Sequence, residues 1–375
     1  MSLLYNLIFD YTLRNVALGT LLLGLGSGAI GSFMTLRGES LIGDAIAHAT
    51  LPGVVIVYLL TMSKEPLLLL AGAAGAGILG IASILTLVRT TKIDSDGANG
   101  IILSIFFGLG LLLLTYIQKL PSASQAGLDR FIFGQAATIV GSDVIFILVV
   151  QSVVLLTLIL FFKELKSSTF DPLSTTVMGF DRRIIDALFS TLLVAVIVTG
   201  LQTVGVILIS ALLVTPAAAA RQWTHSLKTM VILSSLFSGI SGMVGSLISA
   251  TRMNLPTGPV IVLTLTAIII ISFLFGTERG LVIKKIDQIR RHRRFDREKI
   301  LLALDELSKT HEQENLYHSR HTIALMVGQR HNLRRLFNSL ALDDLILERD
   351  DSYLLSDKGR SYVQRLQVKE GRHGH

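Results

Sequence analysis

Long apolar segments, separated by short polar ones, dominate the hydrophobic pattern of the chain. A helix needs about 20 apolar residues to cross the hydrocarbon core of a bilayer. By this criterion the sequence predicts nine spans, at Val16–Leu36, Gly43–Met62, Pro66–Val88, Gly97–Ile117, Val144–Phe162, Ile184–Gln202, Val204–Ala220, Met230–Ala250 and Val260–Phe275. The sixth and seventh are nearly continuous, and a turn is predicted between Gly200 and Gly205 because their combined length is about twice the bilayer thickness. Eight spans are the alternative count if this turn or the short segments are interpreted differently.

Small residues are dense within the predicted spans, as in GLGSGAIGS at Gly24–Ser32 and AGAAGAGILG at Ala71–Gly80. Helices in lipid associate through close backbone approach, which Gly, Ala and Ser allow. The predicted fold class is therefore an all-α polytopic membrane protein with eight or nine transmembrane helices in one bundle.

The pattern changes after residue 280, where polar residues become frequent. We predict a transmembrane domain at 1–280, a basic linker helix at 281–295, a small α+β domain at 296–367 and a disordered end at 368–375. Within the small domain the predicted elements are a helix capped by Asp296, helices from Ser319 and over 332–342, two strands around an Asp350–Asp351 turn and a helix over 357–366. This order is typical of a winged helix.

Composition agrees with a membrane protein. Charged residues make up 16% of the chain, against about 25% in soluble domains, and the mean hydropathy is +0.62. The chain has no Cys, which excludes disulfides, iron–sulfur clusters and thiolate metal sites. Any metal ligands must be nitrogen or oxygen donors.

Loop charges predict the orientation. With the polar C-terminal part in the cytosol, the inner loops carry nine basic residues and the outer segments five. This bias follows the positive-inside rule. We therefore expect a multi-pass protein of the cell membrane with a cytoplasmic C-terminus and, with nine spans, an N-terminus outside.

Asp44 and His48 are the candidate metal ligands. They lie in the segment GDAIAHATLPG, which contains no other charged residue, and a spacing of four residues places both side chains on one helix face. Ionisable groups within a membrane span are costly and usually mark an ion pathway. A carboxylate and an imidazole suit Mn²⁺, Fe²⁺ or Zn²⁺. The alternative is structural, with Asp44 capping a helix and His48 packed in the interior.

A long polar interruption at 163–183 separates two spans on the expected inner side. Asp171 and Pro172 can start a short helix there and Gly179 can end it. A short amphipathic helix in this place could dock against a soluble partner, and an ordinary surface loop is the alternative.

The sequence contains no G-x-x-x-x-G-K-[ST] pattern, so the chain is not expected to bind ATP in the P-loop manner. It is therefore predicted not to be an enzyme. If transport is active, a second polypeptide must hydrolyse the ATP.

Three segments carry a resemblance to a known family: RGESLIGDAIAHATLPG from Arg37, ALLVTPAAAAR from Ala211 and FDPLSTTVMGF from Phe170. Together, over residues 10–276, they resemble the membrane permease subunit of the manganese, zinc and iron ABC importers, the ABC-3 family. The C-terminal part resembles, more weakly, the winged-helix domain of iron- and manganese-dependent repressors.

The resemblance implies a dimer of membrane subunits, homomeric or heteromeric, that moves a divalent metal with no permanently bound cofactor. Its implied partners are an extracellular metal-binding protein, a cytoplasmic ABC ATPase subunit and membrane lipid. Asp44 and His48 match the residues implied to touch the metal. The ATPase-coupling segment is implied to include Phe170, Asp171, Pro172, Val177, Met178 and Gly179.

Two alternatives remain. The first is a permease for a metal chelate, although a wide path for a bulky ligand would not need an Asp–His pair in its wall. The second is a membrane-tethered winged-helix regulator that binds DNA through Arg330, Arg334 and Arg335. Nucleic acid is not among the expected partners, because the acidic residues from Asp343 to Asp351 would repel phosphates.

Overall fold

The computed structural model describes residues 10–63, 65–119, 139–171, 173, 175, 179–250, 255–310, 316–328 and 333–371. The chain divides into two compact units, Met1–Leu281 and Val282–His375.

Helices make up the described part of the first unit. They are α1 (Tyr11–Leu36), α2 (Ile42–Thr61), α3 (Pro66–Thr90), α4 (Ser95–Gln118), α5 (Gly141–Leu160), α6 (Phe162–Phe170), α7 (Arg182–Val204), α8 (Val206–Ala220), α9 (Leu227–Ala250) and α10 (Thr257–Phe275). Within the described ranges, eight are long and apolar enough to cross a membrane, namely all except α6 and α8. Eight of the nine predicted spans meet this criterion of length and composition. The seventh predicted span forms α8, which has 15 residues and rises only about 22 Å.

The predicted turn between the sixth and seventh apolar segments is confirmed at Gly205. This residue has φ 82° and separates α7 from α8, a conformation that glycine adopts without a steric penalty. The chain bends back here, since Gly200 of α7 lies so close to Ile209 of α8 that an added β-carbon would overlap the Cδ1 atom of Ile209.

Glycines set the closest helix contacts in the first unit. A β-carbon at Gly31 of α1 would overlap the carbonyl oxygen of Leu213 in α8, and one at Gly53 of α2 would overlap that of Gly72 in α3. Such close backbone approach is how small residues pack helices in lipid. The dense small residues of the sequence therefore lie at helix–helix interfaces.

The second unit contains helices and a small sheet. Its elements are α11 (Leu281–Thr310), β1 (His318–Ser319), α12 (Arg320–Val327), α13 (Leu333–Leu342), β2 (Ile346–Arg349), β3 (Ser352–Leu355) and α14 (Asp357–Gly371). The strands are antiparallel in the order β1-β3-β2.

Two predictions for this unit are confirmed and one is wrong. Ser319 caps α12 by accepting a hydrogen bond from Thr322 N, and Asp350 and Asp351 form the β2–β3 turn with positive φ angles, as a two-residue type I′ hairpin requires. Asp296 does not cap a helix, because α11 runs through it without a break. Residues 368–371 belong to α14, and residues 372–375 lie outside the described ranges.

The second unit has its own hydrophobic core. The ring of Phe337 in α13 stacks on that of Tyr353 in β3, with centroids 4.2 Å apart. Ile300 and Leu304 of α11 and Ile323 of α12 are fully or almost fully buried in the same cluster. The first helix of this unit therefore packs its apolar residues into a core.

Candidate functional site

Asp44 and His48 lie next to each other on the first two turns of α2. The Oδ1 atom of Asp44 is 3.6 Å from Nε2 of His48. The side chains are 43% exposed for Asp44 and 22% exposed for His48. The pair is thus accessible from outside the bundle of this single chain.

The structural alternative for the pair does not match this geometry. Leu41 occupies the N-cap position of α2, and Asp44 lies within the first helical turn. A carboxylate there interacts favourably with the positive end of the helix dipole, but it does not cap the helix. Since His48 is partly exposed, it is not a fully packed interior residue either.

Ser210 of α8 is a third polar group at the site, which the sequence analysis missed. Its hydroxyl lies 3.1 Å from Oδ1 of Asp44 and donates a hydrogen bond to it. The carbonyl oxygen of Val206, at 3.2 Å, is a second acceptor within reach of the same hydroxyl. Ser210 thereby connects α8 to the acidic residue of α2.

Phe107 of α4 packs against the imidazole of His48. The ring centroids are 4.6 Å apart at an interplanar angle of 71°, an edge-to-face arrangement. The sequence analysis also missed this residue. The contact restricts the orientation of the imidazole and leaves its Nε2 atom on the side of Asp44.

Pro52 lies inside α2, four residues after His48. A proline has no N–H, so the carbonyl oxygen of His48 cannot receive the usual helical hydrogen bond from position 52. The helical hydrogen-bond pattern of α2 is therefore interrupted at the carbonyl oxygen of His48, while the helix continues to Thr61.

Two strong candidate ligands lie at this site among the residues that the structure describes. Across the described residues, no group of three or more His, Cys, Asp or Glu side chains could hold a metal ion. A closed structural site usually has four ligands. The pair is chemically suited to a divalent ion that binds weakly or receives further ligands from elsewhere.

The predicted coupling segment follows α6. Phe170 is the last residue of α6, and Leu173 and Thr175 are helical, with Thr175 N donating to the carbonyl oxygen of Asp171. Gly179 has φ 84°, which is suited to ending a helix. Pro172, Val177 and Met178 lie outside the described residues.

Apolar side chains of this segment face outward. Phe170 and Phe180 are exposed, and Leu173 is 80% exposed. Exposed apolar residues between two spans form a small surface that a soluble protein could cover.

A model of a known protein family matches residues 9–276, described as the ABC 3 transport family. The chain belongs to the ABC 3 transport family. The match covers all ten helices of the first unit and therefore both candidate ligands and the coupling segment.

Two curated relatives are similar to this chain over most of its length. The chain is 53% identical over 282 residues to the zinc transport system membrane protein TroC of Treponema pallidum, covering 75% of this chain and 95% of that protein. It is 45% identical over 337 residues to the manganese transport system membrane protein MntC of Bacillus subtilis, covering 89% of this chain and 75% of MntC.

A solved structure supports the same family fold. PsaBC from Streptococcus pneumoniae, in complex with Fab, matches with a TM-score of 0.66 and 34% sequence identity, over 76% of this chain and 99% of the matched chain. The chain is accordingly a multi-pass membrane protein with an ABC permease fold in its first unit.

Proposed function

We propose that this chain is the permease subunit of an ABC importer that moves Mn²⁺, Zn²⁺ or Fe²⁺ into the cytosol along a path lined by Asp44 and His48. The observation that carries the proposal is the partly exposed Asp44–His48 pair within a membrane helix. Ionisable side chains in a span face a bundle interior or a water-filled path. Their oxygen and nitrogen donors suit these three ions.

The exposure of the pair supports a dimer of permease subunits. A charged side chain facing lipid is costly, so another subunit or water must cover Asp44. A second copy, or a homologous chain, would bring a second Asp–His pair near the first and add ligands for an ion in transit. An extracellular metal-binding protein would deliver that ion.

ATP hydrolysis belongs to a separate cytoplasmic subunit, since the chain lacks the P-loop pattern and its relatives are named as membrane proteins of transport systems. The docking surface for this subunit is the coupling segment, with Phe170, Asp171, Pro172, Val177, Met178 and Gly179. The exposed apolar side chains of Phe170 and Leu173 support this assignment.

We infer that the second unit lies in the cytosol, which the bias of the loop charges supports. We assign residues 1–280 to the permease domain, 281–295 to a linker and 296–367 to a winged-helix-like regulatory domain. The alignment with MntC of Bacillus subtilis covers 337 residues, whereas the first unit ends at Leu281. Part of the second unit is therefore shared with that manganese transport protein.

The alternatives have less support. The relatives above are named for zinc and manganese, not for a chelate, and a chelate needs no Asp–His pair. DNA binding is disfavoured because Glu348, Asp350 and Asp351 are exposed on the β2–β3 hairpin, where they would repel phosphates.

Uptake measurements test the proposal. Asp44→Asn and His48→Gln should each lower cellular uptake of Mn²⁺ and Zn²⁺, measured by elemental analysis, by about tenfold or more, because even indirect changes at metal sites often cost that much affinity. Asp96→Asn is the matched control, since Asp96 also lies in the first turn of a helix. Normal uptake in both site variants, at normal membrane abundance, would refute the proposal.

A further inference from the structure

Arg37, the first residue after α1, connects three elements at one end of the bundle. Its Nη1 atom lies 3.0 Å from Oδ1 of Asp186 in α7, and its Nε donates to Oγ1 of Thr169 in α6 over 3.3 Å. The guanidinium also lies over the ring of Phe189, 4.3 Å from the centroid. The side chain is only 9% exposed, so these contacts are shielded from solvent.

The residues that Arg37 contacts adjoin the coupling segment. Thr169 is the penultimate residue of α6, directly before Phe170. Its neighbour Ser168 reaches the same oxygen of Asp186, at 3.4 Å. Arg37 and Asp186 together therefore hold the last turn of α6, from which the coupling segment begins.

On its other side, Arg37 is joined to the helix of the metal ligands by a short, ordered connection. Glu39 N donates to the carbonyl oxygen of Met34 over 3.0 Å, and Ile42 N donates to that of Glu39 over 3.1 Å. Gly38 makes the turn with φ 74°. Because these hydrogen bonds hold the connection between α1 and α2 in one conformation, we expect a displacement of Arg37 to move the N-terminal end of α2.

We propose that Arg37 is a positioning residue that transmits movement of the coupling segment to Asp44 and His48, through its contacts with Thr169 and Asp186. This inference rests on the proposed function. A planar guanidinium can bind two acceptors in fixed directions, which a lysine ammonium cannot reproduce. Arg37 therefore connects Thr169 of α6 with Asp186 of α7, in addition to neutralising the charge of Asp186.

Thr169 provides the sharpest test. Thr169→Val has nearly the same shape but loses the acceptor for Arg37 Nε, whereas Thr169→Ser retains it. The assay uses the full permease with its ATPase and binding protein in proteoliposomes, and measures Mn²⁺ transported per ATP hydrolysed. We expect a decrease of about fivefold or more for Thr169→Val and a change within about twofold for Thr169→Ser, as for a gating defect.

Arg37→Lys and Arg182→Ala form a second matched pair. Arg182 also pairs with Asp186, at 3.3 Å, but is exposed. Arg37→Lys should lower the transport ratio as Thr169→Val does, since Lys cannot serve both acceptors, and Arg182→Ala should leave it unchanged. If Arg37 merely stabilised the fold, its variants would lower the unfolding temperature or the yield while Mn²⁺ per ATP stayed normal, and this result would overturn the inference.

Asp44→Asn in the same proteoliposomes separates this inference from the proposed function. Transport at the wild-type level by Asp44→Asn would contradict the metal path itself. Loss of transport in Asp44→Asn, together with wild-type ratios in Thr169→Val and Arg37→Lys, would leave the path in place and reject the link.

Discussion

The hydroxyl of Ser210 donates a hydrogen bond to Oδ1 of Asp44 over 3.1 Å, from a helix 166 residues away in sequence. A hydrogen bond to a charged group contributes about 1.5–3 kcal/mol. This bond orients one carboxylate oxygen and so leaves the other available to a cation.

Ser210→Ala should therefore weaken binding of the transported ion. We expect the Mn²⁺ concentration at half-maximal uptake to rise about tenfold, the equivalent of about 1.4 kcal/mol, with a smaller change in maximal rate. Ser104→Ala is the control, because within the described ranges its hydroxyl bonds to the backbone of its own helix at Gly100. An unchanged half-saturation value in Ser210→Ala would contradict a role for this hydroxyl at the site.

Leu173→Glu should weaken docking of the ATPase subunit. Burying a leucine side chain stabilises an interface by about 1.5–3 kcal/mol, and a carboxylate would forfeit this contribution. Affinity between detergent-solubilised permease and the ATPase should drop about tenfold or more. Leu342→Glu, at an equally exposed leucine of the second unit, should bind the ATPase normally. Equal affinity of both variants would argue against the coupling segment as the docking surface.

Glu39→Gln should change how stability depends on pH. Burial raises the pKa of Glu39 above its ordinary 4.5; Arg37 and Arg182 lower it, and Asp186 raises it further. The folded state therefore holds a proton that the unfolded state releases, so stability falls as pH rises through the window above about 4.5.

The neutral glutamine removes this effect. Glu39→Gln should unfold at a higher temperature than the wild type at about pH 7.5 and at a similar temperature near pH 4.5, in thermal melts of the detergent-solubilised protein. Glu65→Gln, at an exposed carboxylate, should keep the wild-type profile. A parallel downward shift of the Glu39→Gln curve at every pH would show that the carboxylate stabilises the fold.

Gly31→Ala should destabilise the first unit. The added methyl group would overlap the carbonyl oxygen of Leu213, and overpacking of this kind costs about 1–3 kcal/mol. Gly75→Ala, where a β-carbon meets no atom within 4 Å, should be neutral or gain up to about 1 kcal/mol from helix propensity. Thermal unfolding in detergent compares the two; equal melting temperatures would mean that α1 and α8 separate easily.

The helical architecture could be predicted because apolar length and glycine placement are local properties. The turn at Gly205 followed from the length of one apolar run. The extent of α11 was not predictable in the same way, since Asp296 is a good capping residue in sequence but has helical neighbours on both sides in the structure. The two-residue strand β1 also escaped prediction, because only its pairing with β3 defines it.

The candidate site was predictable only within one helix. The spacing of Asp44 and His48 identifies a shared face, but Ser210 and Phe107 reach them from α8 and α4. A serine in an apolar helix can bond its own backbone, as Ser210 also can with Val206, so sequence gives no sign of a distant partner. Arg37 begins one of the segments that carry the family resemblance, but sequence gives no sign of its contact with Asp186, 149 residues away in the chain.

Two close glycine contacts each join a pair of helices in the first unit. Gly31 ties α1 to α8, and Gly53 ties α2 to α3. The hydrogen bond between Asp44 of α2 and Ser210 of α8 connects these two helix pairs. A hydrogen bond weakens sharply when it is stretched by about 1 Å. A small movement of one helix pair relative to the other would therefore change how strongly the site binds the ion, while the packing within each pair stays the same.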